Sequence, residues 1–584
     1  MKKFITICSM LAMILSCGHN HSATTGANST GADSVSGDRK WWKEAIVYQI
    51  YPRSFKDADG DGIGDLKGIL SKLDYIKSLG VDVIWLNPIY SSPNDDNGYD
   101  ISDYRNIMKD FGTMTDFDTL LSEMHRRNLK LVMDLVVNHT SDEHPWFQQS
   151  RHSRTNPYRD YYHWWNAERG KPTPRWSFFD VNSDAWKYDT LTNAYYLHYF
   201  SRKQPDLNWE NPKVRREVYD IMKFWLDKGI DGFRMDAFQF VAKDTTWPPL
   251  PQGYEKQIDK YYGMGPHLHD YLQEMNRDVL SKYNIMTVAE GAGSTLGDAH
   301  ALVDPERREL NMAYHFEGID LGHGNPGYSL LEFKKVYSKW DSAFEQKGWL
   351  SIFLANHDQP RMVSHWGNDS PAFRTISSKM LTTFIMTMRG TPYYYNGDEL
   401  GMKNIAFDRI EDYRDIATIN KYKETKNKGG DLKAFLEKQK RTSRDNSRTP
   451  FQWDSTANAG FTTGTPWIKV NPDYTTVNAA AQENDTNSVL NYFRQLSRLR
   501  HDNLVLVYGK YTLLDKDNPD VYAYTREGEG KKMLILLNFR DHPAAAKTGI
   551  DLSGAKLLLD NYPDHPQKDS LRPYEAVVYE LQPD

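Results

Sequence analysis

The sequence predicts an α/β fold: a (β/α)8 TIM barrel with a subdomain inserted after its third strand, then a C-terminal all-β sandwich domain. Three observations carry this. From residue 41 onward, short apolar runs alternate with amphipathic stretches, the pattern of parallel βαβ units, and eight such units close a barrel. Several runs, such as VDVIWL at 81–86 and LVMDLVV at 131–137, are apolar without alternation, as strands buried on both faces are. Finally, three acids far apart in the chain each follow a short apolar run: Asp236 in GIDGFRMDA, Glu290 in IMTVAEG and Asp358 in FLANHDQPR. Barrel strands aim the residues at their C-terminal ends into one shared mouth.

The elements follow in order. Residues 1–17 form a targeting segment: Lys2 and Lys3 precede an apolar run over 4–15, too short to span a bilayer, that ends at Ile14-Leu15-Ser16-Cys17. It resembles a bacterial lipoprotein signal, which implies lipidation of Cys17 and attachment to the cell envelope through an N-terminal lipid anchor; the alternative is an ordinary signal peptide cut nearby. Residues 18–38 are rich in Ser, Thr, Gly and Asn and read as a flexible tether. Cys8 and Cys17 are the only cysteines, so the mature domain has neither a disulfide nor a thiolate-bound metal. With 72 basic and 78 acidic residues and no basic run, the chain lacks the footprint of a nucleic-acid binder.

Barrel strands are expected at 46–51, 81–86, 131–137, 232–236, 286–289, 313–316, 350–355 and 391–395, with helices at 66–79 and 216–228 among the connections. The catalytic barrel is expected over 39–139 and 204–502. The aromatic-rich stretch 140–203 is too long for a simple loop and reads as an inserted subdomain over the barrel mouth. Residues 238–265 form a second insertion, and 396–470 an irregular charged stretch. A helix at 489–500 leads to alternating runs over 503–584, the C-terminal domain.

Three carboxylates in one mouth repel one another, so the cluster costs stability unless chemistry needs it. Glycoside hydrolysis is the reaction that most often needs paired carboxyls. The segments DLVVNHTS, QPDLNW, GFRMDA, VAEG and NHDQPR occur in that order. Together they resemble the α-amylase superfamily of glycoside hydrolases, and QPDLN with SRDNSRTPFQWD is most similar to its oligo-1,6-glucosidase and α-glucosidase branch. The resemblance implies a retaining, exo-acting α-glucosidase for short oligosaccharides or disaccharides, with no catalytic cofactor. Asp236 would be the nucleophile, Glu290 the acid/base and Asp358 the third carboxylate. Arg234, on the same strand face as Asp236, is expected to keep that carboxyl's pKa low, and Glu290, crowded by two acids, to have a raised one.

The resemblance also implies sugar contacts from His139 and His357, an aromatic platform at Tyr99, pocket walls at Phe200 and Gln204, and a further wall at Phe178 or Phe179. Asp96 would pair with Arg444 to grip the non-reducing end; Arg448 is the alternative in the same motif. The run Asp57-Ala-Asp59-Gly-Asp61-Gly-Ile63-Gly-Asp65 places oxygens at every second position, a spacing that wraps a hard cation. It resembles the structural calcium loop of this branch, with Ile63 supplying its carbonyl; the alternative is a solvated acidic turn. Ala237 stands where enzymes of this branch that favour α-1,6 bonds usually carry valine, which leaves linkage open between α-1,4, α-1,6 or both. Two other readings use the same residues. A transglycosylase or disaccharide isomerase of the sucrose or trehalose type would pass glucose to a sugar hydroxyl instead of water. A non-catalytic glycan-binding lipoprotein would have no use for the full carboxylate set.

Overall fold

The computed structural model describes residues 39–181, 184–322, 327–564 and 570–582. The expected lipoprotein signal with Cys17 and the tether lie outside these residues. Among the described residues no helix is long and apolar enough to cross a membrane.

Eight parallel strands build the barrel: β1 (Val47–Ile50), β2 (Val83–Leu86), β3 (Lys130–Val136), β4 (Gly232–Asp236), β5 (Met286–Glu290), β6 (Met312–Tyr314), β7 (Ser351–Ile352) and β8 (Thr391–Tyr395). They pair in the order β6-β5-β4-β3-β2-β1-β8-β7. A parallel bridge between Ala313 and Leu350 then joins β6 to β7 and closes the sheet. Every residue of β1, β2, β4 and β8 is buried, which is why these runs do not alternate. Gly232 opens β4 where a Cβ would lie 2.0 Å from the Met286 carbonyl oxygen of β5, so this close approach requires glycine.

The expected helix at 66–79 is two helices, α1 (Leu66–Ser71) and α2 (Leu73–Ser78), because Lys72 leaves the helical basin at φ −113°, ψ 8°. The helix that delivers β4 is longer than expected: α3 (Pro212–Lys228). Asn211 caps it by accepting from the Lys213 N–H, Pro212 presets its first turn, and Gly229 ends it in the left-handed region. Its buried stripe includes Val214, Val218, Ile221, Met222 and Trp225. Each such side chain contributes about 1.5–3 kcal/mol, which fixes the angle at which the chain enters β4.

The two shortest strands depart most from expectation. Beyond Tyr314 the chain turns into a one-turn helix, because the His315 ring accepts the Gly318 N–H at 3.2 Å. Only Ser351 and Ile352 of the seventh run pair with β8, and the extended chain beyond them carries Asn356, His357 and Asp358 into the mouth.

The stretch after β3 contains a three-stranded antiparallel sheet of Trp164–Asn166, Ala194–Leu197 and Trp186–Asp189, with the second of these central. Bridges between His139 and Asp206 and between Tyr162 and Leu207 tie its base to the barrel. The stretch after β8 is more ordered than expected. After α4 (Arg374–Thr387) and β8 it contains α5 (Ile416–Asn427) and α6 (Leu432–Thr442), capped by Asp415 and Asp431. Both lie within a long, highly charged connection.

After α7 (Val489–His501) comes a five-stranded antiparallel sheet: β9 (Lys510–Leu514), β10 (Val521–Gly528), β11 (Lys531–Asn538), β12 (Lys556–Asp560) and β13 (Ala576–Leu581). Both faces are covered, so the strands alternate between two cores. Tyr522, Tyr524, Ile535 and Val578 pack toward the barrel helices. Val521, Ala523, Leu534 and Val577 pack under a second layer built on the Ala544–Leu571 bridge. Two fully buried arginines tie the layers together, Arg526 of β10 joining the sheet to the barrel and Arg500 of α7 joining that helix to it. Arg526 donates to the carbonyls of Thr387, Leu506, Val507 and Gly509, and Arg500 to those of Met386, Met388, Gly390 and Leu506. Burial pushes both below the usual arginine range, to about 10 and about 9, and the Asp341 carboxylate only partly opposes the fall at Arg526.

Candidate active site

Asp236 and Glu290 are the last residues of β4 and β5, and Asp358 lies on the loop after β7. All three line one cavity of about 270 Å³ at the C-terminal mouth of the barrel, with Asp96, Tyr99, His139, Phe200 and Arg444. Arg234, Gln204 and His357 are fully buried and hydrogen-bond to the lining residues Asp236, Asp96 and Tyr99 respectively. The structure therefore brings every expected catalytic and sugar-contacting residue to one place.

Beneath the catalytic pair, one guanidinium serves several acids. Arg234 Nη1 donates to the carboxylates of Asp236 and, at 2.7 Å, Asp134; its Nη2 meets Glu290 Oε1 at 2.5 Å and the Tyr314 hydroxyl at 3.0 Å. The other Glu290 oxygen accepts the Ala237 N–H at 2.7 Å. Ala237 holds that N–H at φ 43°, in the left-handed region. This division of Arg234 overturns one expectation. Burial pushes the Asp236 carboxyl up, and although Arg234 opposes this, the negative charges of Glu290 and Asp134 add to the rise. Asp236 therefore lies above the usual carboxylate range, not below it.

Asp358 behaves oppositely. Its Oδ1 accepts from Arg448 Nη2 at 2.7 Å and Arg444 Nη1 at 3.1 Å, and its Oδ2 faces His357 Nε2 at 3.2 Å. Burial works against ionisation, but the His357 ring and the two guanidiniums outweigh it and hold this carboxyl well below the usual range. His357 itself is pushed down to about 3 by burial, as is His139. Both are neutral hydrogen-bonding rings at ordinary pH. His357 Nε2 bonds the Tyr99 hydroxyl at 2.7 Å, and the two rings stack at 5.3 Å with 6° between their planes.

The far wall is closed. Arg444 Nη2 meets Asp96 Oδ1 at 3.0 Å, as expected, and Asp415 Oδ1 at 2.6 Å. The Phe179 ring lies 4.8 Å from the same guanidinium, and Asn420 on α5 donates to the Phe179 carbonyl at 2.9 Å. Arg444 thus joins Asp96 at the cavity wall, whereas Arg448 supports Asp358 from behind. Gln204 Nε2 lies 3.3 Å from Asp96 Oδ2 and 3.1 Å from His139 Nε2. Burial raises Asp96 to about 6 against the pull of Arg444. Phe178 and Phe200 stack at 4.9 Å, and both line the cavity, as Phe179 does.

Two functional residues escaped the sequence reading. Asp134, the acid inside LVMDLVV, is fully buried under Arg234 and raised to about 6 by burial; a charge inside an otherwise apolar strand was the available signal. Asp415 lies in the charged stretch after β8, where no pattern marked it.

One carboxylate oxygen from each of Asp57, Asp59 and Asp61 lies within 4.8 Å of the others. Asp65 stands outside that trio: its oxygens accept the Gly68 N–H, capping α1, and the Ala58 N–H, both at 2.7 Å. The Ile63 N–H donates to Asp61 at 2.8 Å.

Residues 49–509 match the model of the α-amylase catalytic domain. The chain is 53% identical to the oligo-1,6-glucosidase of Parageobacillus thermoglucosidasius over 563 residues, covering 93% of this chain and 99% of that one. It is 48% identical to an α-glucosidase of Pediococcus pentosaceus over 561 residues, with 93% and 99% covered. Among solved structures, an isomaltulose synthase from Protaminobacter rubrum superposes with a TM-score of 0.89 at 46% identity, covering 93% of this chain and all of that one. The chain belongs to the α-amylase family of glycoside hydrolases.

Proposed function

We propose that this enzyme is a retaining, exo-acting α-glucosidase that removes terminal α-linked glucose from short oligosaccharides. The observation that carries the exo-acting reading is the closed wall: Arg444, clamped by Asp96, Asp415 and Asp358, blocks the cavity beyond the sugar held at Asp236. The relatives named oligo-1,6-glucosidase and α-glucosidase support it. A retaining mechanism needs two carboxyls about 5–5.5 Å apart, against roughly 6.5–9.5 Å for inversion. The shared Arg234 and the Ala237–Glu290 hydrogen bond support the close spacing.

In this reading an Asp236 oxygen attacks the anomeric carbon while Glu290 gives its proton to the departing glycosidic oxygen. A glucosyl–Asp236 ester and the free aglycone result. Glu290 then takes a proton from water, whose oxygen attacks the same carbon and releases glucose with Asp236 restored. Asp358 and Asp96 accept glucose hydroxyls, and the neutral rings of His139 and His357 bond the same sugar. The testing variant is Asp236→Asn, which keeps the shape of the site. It loses turnover of an aryl α-glucoside while melting within a few degrees of the wild type; retained turnover would refute the assignment.

The isomaltulose synthase neighbour supports a second reading, in which a sugar hydroxyl intercepts the ester instead of water. Product analysis on concentrated sucrose separates the two: glucose and fructose for a hydrolase, a rearranged disaccharide for an isomerase.

Two further proposals concern the periphery. Asp57, Asp59 and Asp61 would hold a structural calcium ion. Burial and the negative Asp59 and Asp57 beside it raise the Asp61 carboxyl, a repulsion a cation would relieve. Loss of melting temperature in chelator, restored by calcium, tests this. Cys17 would carry a lipid that anchors the enzyme in the bacterial cell envelope, tested by radiolabelled palmitate incorporation into wild type and Cys17→Ala.

A further inference from the structure

The glucose side of the cavity is accounted for by the residues above; its opposite side is not. There it is lined by Ala237, Gln239, Phe240, Asp259, Phe316 and Asp320. Gln239 and Asp259 belong to the second insertion, which no catalytic role has claimed. Gln239 is 5 % exposed, and its Nε2 donates to Asp259 Oδ1 at 2.8 Å. That bond fixes the amide, so its Oε1 points away from Asp259 and has no partner. The same amide rests on the backbone beside the catalytic acid: a Cβ on Gly291 would lie 2.8 Å from Gln239 Oε1. A buried amide oxygen without a partner is costly unless a donor reaches it. Asp259 keeps a second carboxylate oxygen beyond the Gln239 bond, on a half-buried side chain in the cavity wall.

Charge adds a second, independent constraint. Six carboxyls line the cavity: Asp96, Asp236, Asp259, Glu290, Asp320 and Asp358. The one guanidinium that lines it, Arg444, is clamped on the glucose side by three of its acid partners. The only other basic side chain in the lining, His139, is neutral there. An anionic group on the aglycone would therefore enter a field of its own sign, with no cation on that side among the described residues of the lining.

We propose that Asp259, held by the Gln239 amide, accepts a hydroxyl of the aglycone sugar, and that this enzyme takes uncharged and rejects phosphorylated disaccharides. Asp259 contacts substrate, and Gln239 is its positioning residue. The inference rests on the α-glucosidase reading and deepens it. It separates this chain from a relative 44% identical to it, the trehalose-6-phosphate hydrolase of Bacillus subtilis, whose named substrate carries the phosphate.

The test compares kcat/KM on maltose, isomaltose and trehalose 6-phosphate with that on p-nitrophenyl α-glucoside, whose aglycone has no hydroxyl to donate. Asp259→Ala is expected to lose roughly 10- to 100-fold on the better of the two neutral disaccharides and less than about threefold on the aryl glucoside. Gln239→Leu follows the same pattern with a smaller loss, and trehalose 6-phosphate is turned over at least about 100-fold more slowly than the neutral disaccharide. Equal losses on both substrate types, or no loss, would overturn the role of Asp259. Comparable turnover of trehalose 6-phosphate would overturn the charge argument. A wild-type enzyme inactive on all four compounds would instead refute the α-glucosidase reading on which the inference stands.

Discussion

Asp415 offers the sharpest perturbation of the closed wall. Its Oδ1 accepts from Arg444 twice, at 2.9 and 2.6 Å, while its two oxygens cap α5 through the N–H groups of Ala417 and Thr418. Asp415→Asn removes the charge but retains an oxygen, and asparagine caps a helix as well as aspartate. A hydrogen bond to a charged acceptor contributes about 1.5–3 kcal/mol and a neutral one about 1 kcal/mol. Arg444 also keeps Asp96 and Asp358, at 3.0 and 3.1 Å, so it stays in the wall, less firmly placed. The net loss is about 1–2 kcal/mol, or about 5- to 30-fold in affinity for the terminal glucose. Steady-state kinetics on maltose or isomaltose should show KM raised by that factor with kcat within about twofold, since no group at the reacting bond has moved. Asp415→Ala should add about 1 kcal/mol of lost stability through the missing cap. An unchanged KM in Asp415→Asn, or a fall in kcat alone, would refute the view that Arg444 acts by gripping the sugar's far end.

Three other predictions follow from the same geometry. Asp96 titrates at about 6 in the folded protein, above its ordinary value of 3.8, so KM should rise as pH falls through about 6, and Asp96→Asn should lose that dependence. Because the folded value is the higher one, the native state binds the extra proton between about 4 and 6. Stability from this group therefore falls as pH rises through that window, and urea unfolding should show Asp96→Asn gaining on the wild type between pH 4 and 7. Ala237→Val crowds the aglycone side beside the Glu290 hydrogen bond and should change the isomaltose-to-maltose kcat/KM ratio by about tenfold, within the 1–3 kcal/mol that one such change carries. An unmoved ratio would remove Ala237 from linkage choice. Arg526→Leu leaves four buried carbonyls short of a donor and should cost about 3 kcal/mol or more in urea unfolding; less than about 1 kcal/mol would show that the arginine does not weld sheet to barrel.

The barrel was legible because its strands obey one rule. Every residue of VIWL and GFRMD is buried, since helices cover one face and the packed interior the other, and the three acids follow where such runs end. The seventh strand is short because only Ser351 and Ile352 find partners, something periodicity cannot register. Helices α5 and α6 were missed for a related reason. Their apolar positions, Leu432, Phe435 and Leu436 among them, are only half-buried, so neither helix carries a fully buried apolar stripe. Within the site, the motif residues were found except Asp134, a charge inside an apolar strand, whereas Asp415 and Asp259 come from the long insertions, where position depends on tertiary packing alone. The direction of the Asp236 shift also lay beyond the sequence: Arg234 two residues away suggested a private partner, and only the fold reveals that Asp134, Glu290 and Tyr314 share it.

The central claim is that glucose leaves with its anomeric configuration retained after a covalent stay on Asp236. Proton NMR of the glucose released from p-nitrophenyl α-glucoside, whose only sugar is the one transferred, recorded before mutarotation, tests this directly. The account predicts α-glucose from the wild type and none from Asp236→Asn. β-Glucose as the first product would contradict it, since it would require water to attack in place of Asp236.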